Sequence, residues 1–131
     1  MNKQQLFRDL LKGKPGKERV FFRPILMHFA ARFNNTTYGK FASDYKVLVE
    51  SNIRAMDYFD TDMVSLISDP YRETSAFGAP IEFIEEGVPR CLEHIVKTID
   101  DVKTLPRPDV YKSERTLDRI KGAEYFQKLL K

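Results

Sequence analysis

Two apolar runs in this chain each end on residues that can do chemistry. RPILMHFAARF, residues 23–33, closes on His28 and Arg32, an imidazole and a guanidinium where a fold usually places core. DMVSLISDP, residues 62–70, closes on Ser68 and Asp69. In βα architectures, functional groups gather at the carboxyl ends of the strands. Two such strands would bring His28 and Arg32 from one side and Ser68 and Asp69 from the other. A basic strand end facing an acidic one suits an anionic small-molecule substrate handled by a hydrogen-bonding carboxylate, because guanidinium binds carboxylates as a fork. Each residue also has a plainer reading. A lone His in an apolar run can be a satisfied core residue, an Asp before Pro can cap a turn, and an Arg before two Asn can sit in a solvated loop. Spacing alone leaves both readings open.

The elements that would position these residues follow from periodicity. Residues 2–12 read as an amphipathic helix with Leu6, Phe7, Leu10 and Leu11 on one face, stopped by Gly13 and Pro15. A polar connector, KGKPGKER, leads to a buried strand over Arg23–Phe29, entered through Pro24. NNTT, residues 34–37, carries helix-capping side chains. From Tyr38 to Phe59 the pattern is helical: Phe41, Tyr45, Leu48, Val49, Ile53 and Met56 form one stripe, and Lys46, Glu50 and Arg54 the opposite face. Ser43 or Asp44 restarts that helix after a short first turn. A second strand is expected over residues 62–68, then one or two helical turns closed by Gly78.

Residues 81–96 alternate only in part and contain Gly87 and Pro89, so an extended pair is the reading there. Thr98 caps a short helix, IDDVKTL, which Pro106 ends, and residues 113–130 form a last helix with Leu117, Ile120, Phe126 and Leu130 inward. The order helix, strand, helix, strand, short helix points to α/β architecture with parallel strands. A parallel pair needs both faces and both neighbours covered, so two βα units look incomplete.

Composition narrows the partners. The 131 residues carry 22 basic and 19 acidic side chains, interleaved rather than blocked, and no Trp. Nucleic-acid surfaces cluster Lys and Arg, often among aromatics, and no such cluster exists here, so no nucleic-acid partner is expected. No segment approaches the ~20 apolar residues that cross a bilayer, so no membrane partner is expected either. One cysteine, Cys91, excludes an internal disulfide and favours a reducing, cytoplasmic setting. Cys91, His28 and His94 alone make no metal cluster, and Cys91 reads as a small buried residue.

Against that background, MHFAARF, residues 27–33, resembles the motif M-R-Q-A-G-R-Y of the uroporphyrinogen decarboxylase superfamily. Met27, Ala30 and Arg32 match, and Phe33 replaces Tyr. SDPYRETSAFG, residues 68–78, is similar to the family's S-D-x(8)-G, with Asp69 and Gly78 in place. The excursion after Gly78, the D-D-V-x-x-L helix and the Pro-containing link continue the likeness, which runs from about Leu6 to Leu130.

The resemblance implies the N-terminal part of a (β/α)8 TIM barrel, incomplete in this chain because such a barrel needs roughly 250 residues. It also implies roles: Arg32 as a substrate-binding arginine, Asp69 as the central catalytic aspartate, and Ser68 beside it at the substrate. The motif's first arginine is replaced by His28, and its Gln by Phe29. Imidazole lacks the permanent charge and five-donor fork of guanidinium, which weighs against a substrate bearing eight carboxylates. The family's other branch moves methyl groups to or from a corrinoid carried by a partner protein, using zinc held by His and Cys. Zinc and the protein-bound corrinoid would belong to the full-length parent, since this chain offers no His-x-Cys pair. The expectations are therefore a methyltransferase fragment first, porphyrinogen decarboxylation second, and a free-standing α/β binding module third. Open strand edges make a homodimer plausible for the fragment.

Overall fold

A computed structural model describes residues 2–14 and 19–130. Chain order is α1 (Lys3–Leu11), α2 (Met27–Phe33), α3 (Tyr38–Ser43), α4 (Tyr45–Phe59), α5 (Arg72–Ala76), β1 (Ile81–Glu82), β2 (Arg90–Cys91), α6 (Ile99–Thr104) and α7 (Glu114–Leu129). Among the described residues the strands are one antiparallel pair, with Ile81 opposite Cys91 and Glu82 opposite Arg90.

The helices form where local chemistry favours them. Asn2 caps α1 and Thr37 caps α3. Asp44 separates α3 from α4: it ends the first in extended backbone, and its carboxylate accepts from the Lys46 N–H at 2.8 Å. Thr98 and Asp101 close a capping box on α6. The stripe expected on α4 is present, with Leu48 and Val49 buried and Lys46, Glu50 and Arg54 exposed. Around it the core is built from Ala30 and Ala31 of α2, Tyr38, Phe41 and Ala42 of α3, and Phe126 of α7. The two alanines let α2 lie close on α4.

Four expectations change. The strand placed over Arg23–Phe29 does not form: Leu26 already has right-handed helical backbone, and Met27 (φ +29°) turns the chain into α2. The segment expected as a second strand is extended over 63–69 without a sheet ladder. An extended run satisfies its backbone only through a partner, whereas a helix satisfies its own. MHFAARF therefore folds as helix, and the two extended segments meet through one backbone bond, Asp62 N–H to the Phe22 carbonyl at 2.8 Å. The parallel pair expected of an α/β barrel is thus not formed among the described residues. The extended pair over 81–96 shrinks to β1 and β2. Leu10, Leu11 and Leu130 are exposed rather than inward, because each lies at a helix end beyond the reach of the core. Pro15 and half of the polar connector, residues 15–18, lie outside the described residues.

The polar contacts of the N-terminal segment gather on residues 60–62. Lys3 donates to Asp60 at 2.6 Å and to the Thr61 carbonyl at 2.8 Å. The buried Asp62 carboxylate accepts both arms of the Arg19 guanidinium and the Phe22 N–H. Leu6 is buried, and Phe7 packs on Phe21 with ring centroids 5.4 Å apart.

Candidate substrate-binding site around Asp69

Asp69 sits where the extended segment 63–69 runs into α5, and its carboxylate has no solvent exposure. Oδ1 accepts from Arg115 Nη1 at 2.9 Å and from the Tyr71 N–H at 3.0 Å. Oδ2 accepts from Arg115 Nη2 at 2.7 Å and from the Ser68 hydroxyl at 2.6 Å. A carboxylate offers about four lone-pair positions, and all are taken by the chain itself. Burial pushes this carboxyl up, but the Arg115 fork, the Ser68 hydroxyl and the Tyr71 N–H outweigh it and hold it at about 2.

A second ion pair lies alongside. Arg72, buried on α5, donates to Asp118 of α7 at 2.6 Å, to the Ser68 hydroxyl at 2.8 Å and to the Arg115 carbonyl at 3.1 Å. Asp118 also accepts the Tyr45 N–H at 3.0 Å, an otherwise unpaired donor at the start of α4. The carbonyl of Ala42, near the end of α3, accepts from both Arg115, at 3.2 Å, and Arg72, at 3.4 Å. One polar cluster thus ties α3, α4, α5 and α7 together. Buried charges persist only when paired and hydrogen-bonded like this. Nε of Arg72 has no partner among the described residues. Arg119, one turn beyond Arg115 on α7, is lowered by burial and next by the Arg72 charge.

Tyr38 connects the cluster to the first motif. Its hydroxyl donates to the Ser68 carbonyl. Burial, and then the Asp69 charge, pushes the phenol up to about 12. The His28 ring lies flat on Tyr38, with centroids 3.6 Å apart and planes 5° from parallel. Three of the residues singled out from sequence, His28, Ser68 and Asp69, therefore belong to one contact chain through Tyr38. Arg32, one helical turn along α2, is exposed and outside that chain.

Beside Arg115 a groove of about 450 Å³ opens, lined among others by Ser43, Tyr45, Ser75, Phe83 and Asp118. The Arg115 guanidinium lies over the Phe83 ring, 4.9 Å from its centroid. Its size is that of a small-molecule site. Among the described residues no three His, Cys, Asp or Glu side chains are placed to hold a metal ion. Cys91, half-buried, donates its thiol to the Glu93 carbonyl at 3.0 Å. The zinc implied by the methyl-transfer branch thus finds no ligand set among the described residues.

Sequence reading missed Tyr38, Arg72, Arg115 and Asp118. Arg115 and Asp118 are three apart on α7 and read as a surface pair with each other. Instead they pair crosswise, Arg115 with Asp69 and Asp118 with Arg72. A separation of 46 residues in both pairs leaves no local signal.

A family model described as uroporphyrinogen decarboxylase (URO-D) matches residues 2–125. No curated protein and no solved structure gives a significant match.

Proposed function

Because the chain belongs to the uroporphyrinogen decarboxylase family, we propose that it is the N-terminal, ligand-facing part of a barrel enzyme that transfers methyl groups to or from a corrinoid protein. The family implies a barrel-type domain, and its members are enzymes, either decarboxylases or methyltransferases. The observation that carries the choice of branch is His28. It replaces a motif arginine, and its ring is spent as an aromatic wall against Tyr38. The mouth thereby loses a fixed cation that a substrate with many carboxylates would need. In this reading His28 and Arg32 meet a polar or acidic small molecule, and Ser68 and Asp69 stand behind them as an oriented hydroxyl and a fixed negative charge. Zinc and corrinoid would be supplied by sequence and a partner outside this chain.

Porphyrinogen decarboxylation is the second reading, favoured by the retained Arg32 and Asp69. The test is to express the complete reading frame containing these residues and run two assays. One follows demethylation of methylcobalamin by a thiol, and the other follows loss of carboxylates from uroporphyrinogen. Methyl transfer alone supports the proposal, and decarboxylation alone selects the second reading. Neither activity leaves the chain a binding module. In whichever assay responds, Arg32→Ala should lower kcat/KM about 10- to 100-fold, the worth of one charge-assisted hydrogen bond. Its circular dichroism should be unchanged, because Arg32 is exposed.

A further inference from the structure

We infer that Arg115 is the positioning residue for Asp69: its guanidinium fork fixes the plane of the carboxylate and fills the lone pairs that a ligand would otherwise reach. The inference rests on the reading of Asp69 as part of a ligand site, and it adds a residue that neither motif contains. The two nitrogens of Arg115 reach the two oxygens of Asp69 at 2.9 and 2.7 Å, a side-on fork. The Asp69 side chain is wholly buried and that of Arg115 is 10% exposed. Arg115 is itself held on its other face by Phe83, and it lines the groove while Asp69 does not. A molecule entering that groove therefore meets the guanidinium before the carboxylate. While the fork holds, Asp69 acts as a fixed charge with no acceptor to spare. A ligand N–H gains the carboxylate only by displacing Arg115.

The charged and titratable groups that act on Asp69 are Arg115 and Arg119 on α7 and Tyr38 on α3, with Arg72 on α5 reaching it through the Ser68 hydroxyl. Arg72 is committed to Asp118, and Glu73 lies at 3.9 Å from Arg119. Arg115 alone bridges both Asp69 oxygens.

The experiment is a pH titration of the Asp69 side-chain carbon by carbon-13 NMR in the 131-residue chain, in wild type, Arg115→Ala and Arg115→Lys. The wild-type midpoint should lie near 2. In Arg115→Ala it should rise above the ordinary carboxylate value of about 3.9, because burial then outweighs the remaining donors. Millimolar methylguanidinium should draw it back down by refilling the vacated fork. Arg115→Lys keeps the charge but not the fork, and should give an intermediate midpoint with a shifted Tyr71 amide resonance. A folded Arg115→Ala protein with an unmoved midpoint overturns the inference. Should that variant fail to fold, Arg115→Lys with wild-type midpoint and wild-type Tyr71 amide overturns it equally. The readout needs no turnover, so failure of the methyl-transfer reading leaves it untouched, and its own failure leaves that reading standing.

Discussion

At the scale of single residues, the pairing of Asp69 with Arg115 makes stability depend on acid. The folded carboxyl lies at about 2, against about 3.9 in an unfolded chain. A depressed carboxyl stabilises the fold fully above the unfolded value. Its contribution, about 2 kcal/mol, is lost as pH falls from about 5 to 2. Urea melts across that window should show the midpoint falling with pH, and Asp69→Asn should flatten the slope. The same variant should cost about 3–5 kcal/mol at neutral pH, since it leaves Arg115 buried without its counter-charge. His28, Ser68 and Asp69 could be singled out from sequence because each lies in or at the end of a short apolar run inside a motif, and the fold joins them through Tyr38. Arg115 was not, because a guanidinium on a polar helix looks solvated until a distant carboxylate is folded against it.

At the scale of elements, what could be read was what is local. The break at Asp44, the α4 stripe and the Thr98 cap depend on neighbours within one turn, and all are found. The two strands depend on partners that no window of sequence contains, so residues 23–29 and 62–68 read as sheet and fold otherwise. Two glycines separate helix preference from close approach. A Cβ on Gly39 would sit 2.9 Å from the Ile84 carbonyl oxygen and 3.1 Å from Glu85 Cα, both backbone. On Gly122 the nearest atom, at 2.8 Å, is the end of the Leu66 side chain. Gly39→Ala should therefore destabilise by about 1–3 kcal/mol, as overpacking does. Gly122→Ala should cost less, because Leu66 can rotate and alanine gains about 1 kcal/mol of helix preference. Thermal melts of the pair give the comparison, and equal losses would contradict it.

At the scale of the whole molecule, the surface is unevenly finished. Phe22 and Phe29 are each 48% exposed and Phe59 40%, around an apolar groove of about 250 Å³. Phe22, Pro24 and Leu26 of the segment leading into α2 line it. Exposed aromatics gathered around an apolar groove favour association. Sedimentation velocity should show apparent mass rising with concentration, and Phe29→Lys with Phe59→Lys should hold the chain at its monomer mass of 15.3 kDa. Sedimentation as a monomer at every concentration would remove the homodimer from consideration.

The fastening of the N-terminal segment decides how the molecule comes apart. Lys3, Arg19 and Phe22 all hook onto residues 60–62, just beyond the end of α4, and none hooks onto α7 or the Asp69 cluster. Helix α1 and residues 19–22 therefore share one hasp, and a fluctuation that frees Asp60 and Asp62 should release both. Native-state amide exchange should show α1 opening as a single sub-global unit, at a free energy below that of α4 and α7. Asp62→Asn should lower that opening energy alone. The N-terminal helix should then swing away and return while the Arg115–Asp69 and Arg72–Asp118 pairs stay closed, so limited proteolysis should cut there first.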